Sequence, residues 1–471
     1  MNGRMTAKLV FDLIVKLAMG VMLTATAAAQ NSFYVSTEGG DANPCTKALP
    51  CASINRGISR LSHGDTLVVA GGKYKESITC LKGATDSQCI PSGIDADHPT
   101  VITASPGERV IVRPKPKREP LRVLTLAGPE LNHIVIQGLV LDGVNVQNAV
   151  VKITDGANHI RLNNCEIMNS PTSHGVLITD GSGDSVNNEI INCIIHDNGF
   201  GWTGPISPPH NIYNSSDDTV IDGCNLYNNA HGFAIHHFSG GERMIVRNCT
   251  IHDTGGDGIL ADGSGDQIYN NLFYNNGSDL KISDGSGLIS GIKVYNNTFY
   301  NSAEAIKVGV MTLGTSAQNC EIVNNICWAA KDQSWQIRIT ADALGTILRN
   351  NLTRNMISDA GVVTDAKGNL IGDPAFMSPD TRDFRLKDGS PAIDAGVSLP
   401  ALTKDRDGEN RPRGRAYDIG AFESSAAPGT IPNDTQEQRP KRLSSALAAG
   451  VAIMIISLMF LLRRRSYGLS R

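Results

Sequence analysis

Between about Ile136 and Asn355 the chain repeats one short pattern, and a repeat this short restricts it to a stack of similar coils. An apolar stretch ends in a pair of residues. An apolar residue, a turn and a second apolar stretch follow. The pairs are Asn164-Cys165, Asn192-Cys193, Gly223-Cys224, Asn248-Cys249, Asn270-Asn271, Asn296-Asn297, Asn324-Asn325 and Asn350-Asn351, and they stand 22 to 31 residues apart. A period of this length with no long helical pattern marks a solenoid.

The pairs set the register. Two residues beyond each second member lie Ile167, Ile195, Leu226, Ile251, Phe273, Phe299, Cys327 and Thr353. Strand side chains alternate faces, so these residues share a face with the pair's second members. That face is apolar and therefore inward. A stack of thiols (Cys165, Cys193, Cys224, Cys249) then continues inside as a stack of amides (Asn271, Asn297, Asn325, Asn351). A buried thiol packs as a small hydrophobe. A buried amide must bond to its neighbour in the ladder. Asn169, Asp197, Asn228, Asp253, Asn275 and Asn301 follow at the corner, where the left-handed conformation is required.

The second strand then places Val176/Ile178, Phe233/Ile235, Leu280/Ile282, Ile306/Val308 and Ile337/Ile339 inward. Lys281, Lys307 and Arg338 are consequently sent outward at one height on three successive coils. The same column is expected to hold Lys152, Leu177, Tyr213, Ala234 and Leu260. Neighbouring cations at about 4.8 Å repel by about 0.9 kcal/mol in water, little enough for a solvated stripe yet suited to an anionic partner. His236 and Asp262 are expected outward two residues further along. His174, His210 and His231, with Asp257, Ser278, Glu304 and Trp335, mark the start of the strand. A zinc site can be drawn from the histidines and Asp257. Turn-capping imidazoles are the plainer account, and no metal ligands are assigned. Between Asp197 and His210 the loop is longer than elsewhere and carries Trp202, a platform for a sugar ring.

These coils resemble the right-handed parallel β-helix of the pectate lyase superfamily. Phe33-Tyr34-Val35-Ser36, an amphipathic stretch with Ile54, Ile58 and Leu61, and Gly64-Asp65-Thr66-Leu67-Val68-Val69 are similar to the capping helix and first coil of secreted bacterial members. Asp388-Gly389-Ser390-Pro391-Ala392-Ile393-Asp394-Ala395-Gly396 and Asp418-Ile419-Gly420-Ala421-Phe422-Glu423 resemble a terminal module of surface-anchored β-helix proteins. The expected fold class is therefore all-β, a right-handed parallel β-helix solenoid with a short N-terminal capping helix and one C-terminal transmembrane helix.

The expected plan has a signal peptide over 1–29, with Arg4 and Lys8 before an apolar stretch and Ala27-Ala28-Ala29 for cleavage. The cap and first coils span 31–130, the repeats 131–372 and the terminal module 373–425. A stalk over 426–442 leads to an apolar run of 20 residues, Leu443 to Leu462. Arg463, Arg464 and Arg465 open a basic tail over 463–471, which favours a cytoplasmic C-terminus and an exported, membrane-tethered body. Export admits disulfides, and Cys45, Cys51, Cys80 and Cys89 lie outside the repeat with three connectivities open.

Net charge is −4, which gives no reason to expect nucleic acid. The expected partner is an acidic polysaccharide or another surface glycan, with the membrane reached through the C-terminal helix and the protein monomeric. One class of function is a polysaccharide lyase. β-Elimination needs the uronate carboxylate neutralised, a base at C5 and a proton for the leaving oxygen. Lys281, Lys307 and Arg338 suit the first two tasks, and Tyr213, His236 or His231 the third. Trp202, His210, His231 and Asp262 are expected to contact substrate. Calcium is conceivable at the repeated Asp-Gly-Ser-Gly turns at 180, 262 and 284. The alternative class is a non-catalytic glycan-binding or structural surface protein. A hydrolase, through Asp257, Asp262 or Glu304, and a uronate epimerase are further alternatives.

Overall fold

A computed structural model describes residues 30–425, apart from 82, 84–88, 117–121, 182–183, 205–207, 284–286, 311–315, 331–334 and 356. The signal, stalk, apolar run and basic tail read from the sequence lie outside these residues. No helix among the described residues is long and apolar enough to cross a membrane.

Each coil contributes three short strands, and each strand pairs in parallel with its counterpart one coil on. Among the described residues the three sheets hold 15, 11 and 12 strands. The sequence pattern suggests two strands per coil, the first ending in the Asn/Cys pair. The structure has three, because the first member of every pair is itself a corner with a further strand beyond it. Asn164, Asn192, Asn248, Asn270, Asn296, Asn324 and Asn350 have φ between 50° and 58°. The strand before the pair, such as Gln267–Tyr269, joins the first sheet, and the strand after it, such as Leu272–Tyr274, joins the second. The six expected corner residues from Asn169 to Asn301 all have φ between 47° and 64°. A third strand such as Ser278–Ile282 follows each of these corners and joins the third sheet.

The second members face inward as expected, and all eight are buried. Cys193, Cys224 and the four asparagines each accept a backbone N–H of the coil before. Cys165 N–H donates to Cys193 Sγ at 3.4 Å, and Cys249 N–H donates to Asn271 Oδ1 at 2.9 Å. Asn271, Asn297 and Asn325 continue the run to Asn351 at 3.0 Å per step. Asn369 extends it by one coil more. Phe273 and Phe299 stack beside it with centroids 4.7 Å apart.

The helix Ile54–Ile58 covers the open N-terminal end. Ser53 caps it, and Ile54, Ile58 and Leu61 are buried against the first coils. Cys45 is joined to Cys51 and Cys80 to Cys89. At the other end, residues 376–423 leave the coil path and fold back over the outside of the second sheet. Phe376, Phe384, Ile419 and Phe422 pack there against Leu272, Tyr274 and Ile326. The outward first members of the Asn pairs hold this segment. Asn270 donates to Lys404 O, Asn296 to Asp418 O, Asn324 to Val397 O and Asn350 to Ala395 O, all at 2.8–2.9 Å.

Candidate functional site

The outer face of the third sheet carries one continuous column. Strand pairing places Lys152, Leu177, Tyr213, His236, Leu260, Lys281, Lys307 and Arg338 at the same height. This corrects one coil of the expected register. Phe233 and Ile235 had been assigned inward, which put Ala234 in the column. The inward pair is instead Ile235 and His237, because Ile212 pairs with Ile235 and Asn214 with His237. The slip is two residues, so it keeps the face and changes the height. His237 escapes an apolar pattern because its Nδ1 meets Asp266 Oδ2 at 2.7 Å, with both side chains fully buried. The consequence is that His236 joins the cation column, and Phe233 replaces His231 beside His174 and His210.

Two patches result. At one end lie the three cations, and two are already paired. Lys281 Nζ meets Asp257 Oδ2 at 2.6 Å, and Arg338 meets Glu304 through Nε at 2.7 Å and Nη2 at 3.2 Å. Each carboxylate sits one coil before its cation. Lys307, between them, has no carboxylate at ion-pair distance among the described residues. Partial burial, then the adjacent guanidinium of Arg338, pushes its ammonium below the usual lysine value. Glu304 opposes that shift and Lys281 adds to it.

At the other end lies a cluster of rings. His174 Nδ1 accepts the backbone N–H of His210 at 3.0 Å, and His210 Nδ1 accepts that of Phe233 at 2.9 Å. These imidazoles are turn caps. A ring nitrogen that accepts leaves the proton on the other nitrogen. His210 Nε2 therefore donates to His236 Nδ1, 3.1 Å away. Burial pushes His174 down to about 4 and His210 well below the ordinary imidazole value. Both are neutral at neutral pH. Tyr213 stands edge-on to His236 at 5.1 Å, and Phe238, 38% exposed, completes the patch at 5.7 Å from His236.

The structure therefore brings Lys281, Lys307 and Arg338 together but not the whole expected set. His236 is three coils and Tyr213 four coils from Lys307, roughly 14 and 19 Å at the usual strand spacing. Neither reaches a bond cleaved at Lys307. Trp202 packs on His231 with centroids 5.1 Å apart. Its loop hydrogen-bonds back to Ser170 and Pro171, towards the ring patch and away from the lysines. His231 is exposed, while His210 is 3% exposed and lies beneath Tyr213 and Phe233. Asp262 was expected on the surface, yet it is 1% exposed. The strand Ile259–Ala261 ends just before it, so alternation no longer governs its direction.

Among the described residues no three His, Cys, Asp or Glu side chains are grouped to hold a metal ion. Two of the three Asp-Gly-Ser-Gly turns fall partly outside the described residues. Two carboxylates beside the cation stripe, Asp257 and Glu304, are engaged by cations.

Fold and face together define a parallel β-helix with a basic and aromatic strip along one sheet. The chain belongs to the family described as Pel9A-like, right-handed β-helix region, which matches residues 33–326. The right-handed β-helix expected from the repeat is thus borne out. Among solved structures, that of pectate lyase Pel9A is 16% identical, with a TM-score of 0.58 over 84% of this chain and 96% of that one. The structure of XylC in complex with xylose is 12% identical, with a TM-score of 0.53 over 84% of this chain and 99% of that one. No curated protein matches the sequence.

Proposed function

We propose that the protein is exported, engages an acidic polysaccharide along the outer face of the third sheet, and cleaves it by β-elimination at Lys307. The observation that carries this reading is the bracketing of a partly buried, depressed-pKa lysine by Lys281 and Arg338. A lysine lowered in this way is a better general base. In the proposed step Lys307 Nζ takes the C5 proton of the uronate. The electron pair forms the C4–C5 double bond, the C4–O bond breaks, and the leaving oxygen takes a proton from water. Lys281 and Arg338 stabilise the charge that develops on the uronate carboxylate. Family membership and the similarity to pectate lyase Pel9A support a polysaccharide partner. Two disulfides support an oxidising, exported location. A tether through 443–462 belongs to the same proposal.

A competing reading is a non-catalytic glycan-binding surface. It draws on the ion pairs that already occupy Lys281 and Arg338. The engagement of Asp257 and Glu304 in those same pairs weighs against a hydrolase, which needs two available carboxyl groups.

Incubation with uronate polysaccharides, with and without calcium, separates these readings. A lyase produces an ultraviolet-absorbing unsaturated uronate, and Lys307→Ala removes most of it. Activity that survives Lys307→Ala would show that another group is the base. Retained binding without product would favour the binding surface.

A further inference from the structure

We infer that the glycan is a heteropolymer whose uronates are separated by neutral sugars, and not a polymer with a carboxylate on every sugar. The inference rests on the third-sheet face being the glycan site. It follows from the charge and chemistry of successive positions along that face.

Coils advance by about 4.8 Å, close to the advance of one sugar along an extended chain. A polysaccharide lying along the column therefore presents about one sugar to each coil. At Lys307 a carboxylate meets a cation with no acidic partner among the described residues. One coil towards the N-terminus it meets Lys281, whose ammonium is held by Asp257 at 2.6 Å. One coil the other way it meets Arg338, held through two nitrogens by Glu304. Two of the three cations are taken up by ion pairs, so Lys307 is the one left to pair with a uronate, with Asp342 acting on it only beyond ion-pair distance. A second uronate at either neighbour would face a carboxylate as well as a cation and gain little.

Beyond Lys281 the column offers no lysine or arginine until Lys152, five coils away. Leu260 comes next in the column, followed by His236 and Tyr213. His210, which donates to His236, is kept neutral by burial. Rings such as Tyr213 and Phe238 suit the C–H faces of neutral sugars and offer nothing to a carboxylate. A polyuronate would have to leave several carboxylates desolvated and unpaired there, a cost that a heteropolymer avoids.

The test measures kcat/KM by unsaturated-product absorbance, and binding by calorimetry, with the full-length protein. Polygalacturonate and alginate carry a carboxylate on every sugar. Hyaluronan and the rhamnogalacturonan backbone alternate uronates with neutral sugars. At least tenfold higher kcat/KM or affinity on an alternating polymer is expected. Equal or better performance on the homopolymers would overturn this inference and leave the lyase proposal standing. Neither product nor binding on any of the four would overturn both. A variant supplies a second, independent readout. Asp257→Asn retains an oxygen for the Ser278 backbone N–H, which Asp257 accepts at 2.7 Å, and frees Lys281. Homopolymer affinity should then rise roughly tenfold. An unchanged preference would count against the charge argument.

Discussion

Replacement of Asn297 tests whether the internal amide ladder holds the coils together. Its Nδ2 donates to Ile268 O at 2.8 Å and to Asn325 Oδ1 at 3.0 Å. Its Oδ1 accepts both the backbone N–H and the side-chain amide of Asn271, each at 3.0 Å. Asn297→Ala therefore removes all four bonds and strands two buried donors of Asn271. At about 1–3 kcal/mol for each stranded buried donor, the expected loss is about 4 kcal/mol. Asn297→Cys is the informative comparison, because the same column holds thiols four coils lower. Cys193 Sγ accepts the Cys165 backbone N–H there at 3.4 Å. A thiol at 297 should accept from the Asn271 backbone and recover about half of the loss. Urea denaturation gives the stability difference, and native-state exchange of the Asn271 amide locates it. The ladder argument is falsified if Asn297→Ala lies within about 1 kcal/mol of the parent, or if the thiol is the worse of the two.

Three further outcomes are expected. Asp279 is fully buried, accepts Asn276 Nδ2 at 2.9 Å and Ser302 Oγ at 2.6 Å, and is pushed by burial up to about 8 from 3.8. Its folded value lies above its unfolded one, so its contribution is fully present below pH 4 and is lost as pH rises through about 8. Relative to Asp279→Asn, the parent should lose thermal stability between pH 5 and 8 and then level off, and parallel profiles would contradict the assignment. Arg411 and Glu423 pair at 2.6 Å with neither side chain exposed, and Arg411 also donates to Asn270 Oδ1 at 3.1 Å. Arg411→Met strands a buried carboxylate and should cost about 3–5 kcal/mol, seen as faster proteolysis within 376–423 while the coils stay intact. For Lys307, truncation to Ala should lower kcat at least a hundredfold, in line with loss of a general base, whereas Tyr213→Ala should act mainly on KM.

Much of the fold was legible because a solenoid writes its geometry into its period. The pair positions correctly named the inward thiols and amides, and Asn169, Asp197 and Asn228 correctly marked left-handed corners. The first members of the pairs were legible as repeats but not in purpose. Their outward amides bind residues 395–420, and no local pattern announces a partner more than 100 residues away, as between Asn296 and Asp418. The candidate site was legible in part. Lys281, Lys307 and Arg338 were aligned correctly because Leu280/Ile282, Ile306/Val308 and Ile337/Ile339 are unambiguous apolar frames. The coil of His236 was not, because a buried histidine at 237 breaks that frame and only Asp266 explains it.

By itself the sequence determined the class of fold, the inward and outward faces, and the stripe of three cations. Those follow from period-two alternation and from a repeat whose apolar positions must stack. Alternation specifies which face a side chain takes but is silent about height, since a slip of two residues preserves every face. Height, and with it the placing of His236 in the column, was decided by pairing between coils. So was the difference among the cations. Lys281 finds Asp257 24 residues away and Arg338 finds Glu304 34 residues away, while Lys307 lies between them in the column without an acid partner among the described residues. Such contacts join residues that are distant in the chain and adjacent only once the coils are stacked, so the tertiary structure alone distinguishes one lysine from its neighbours.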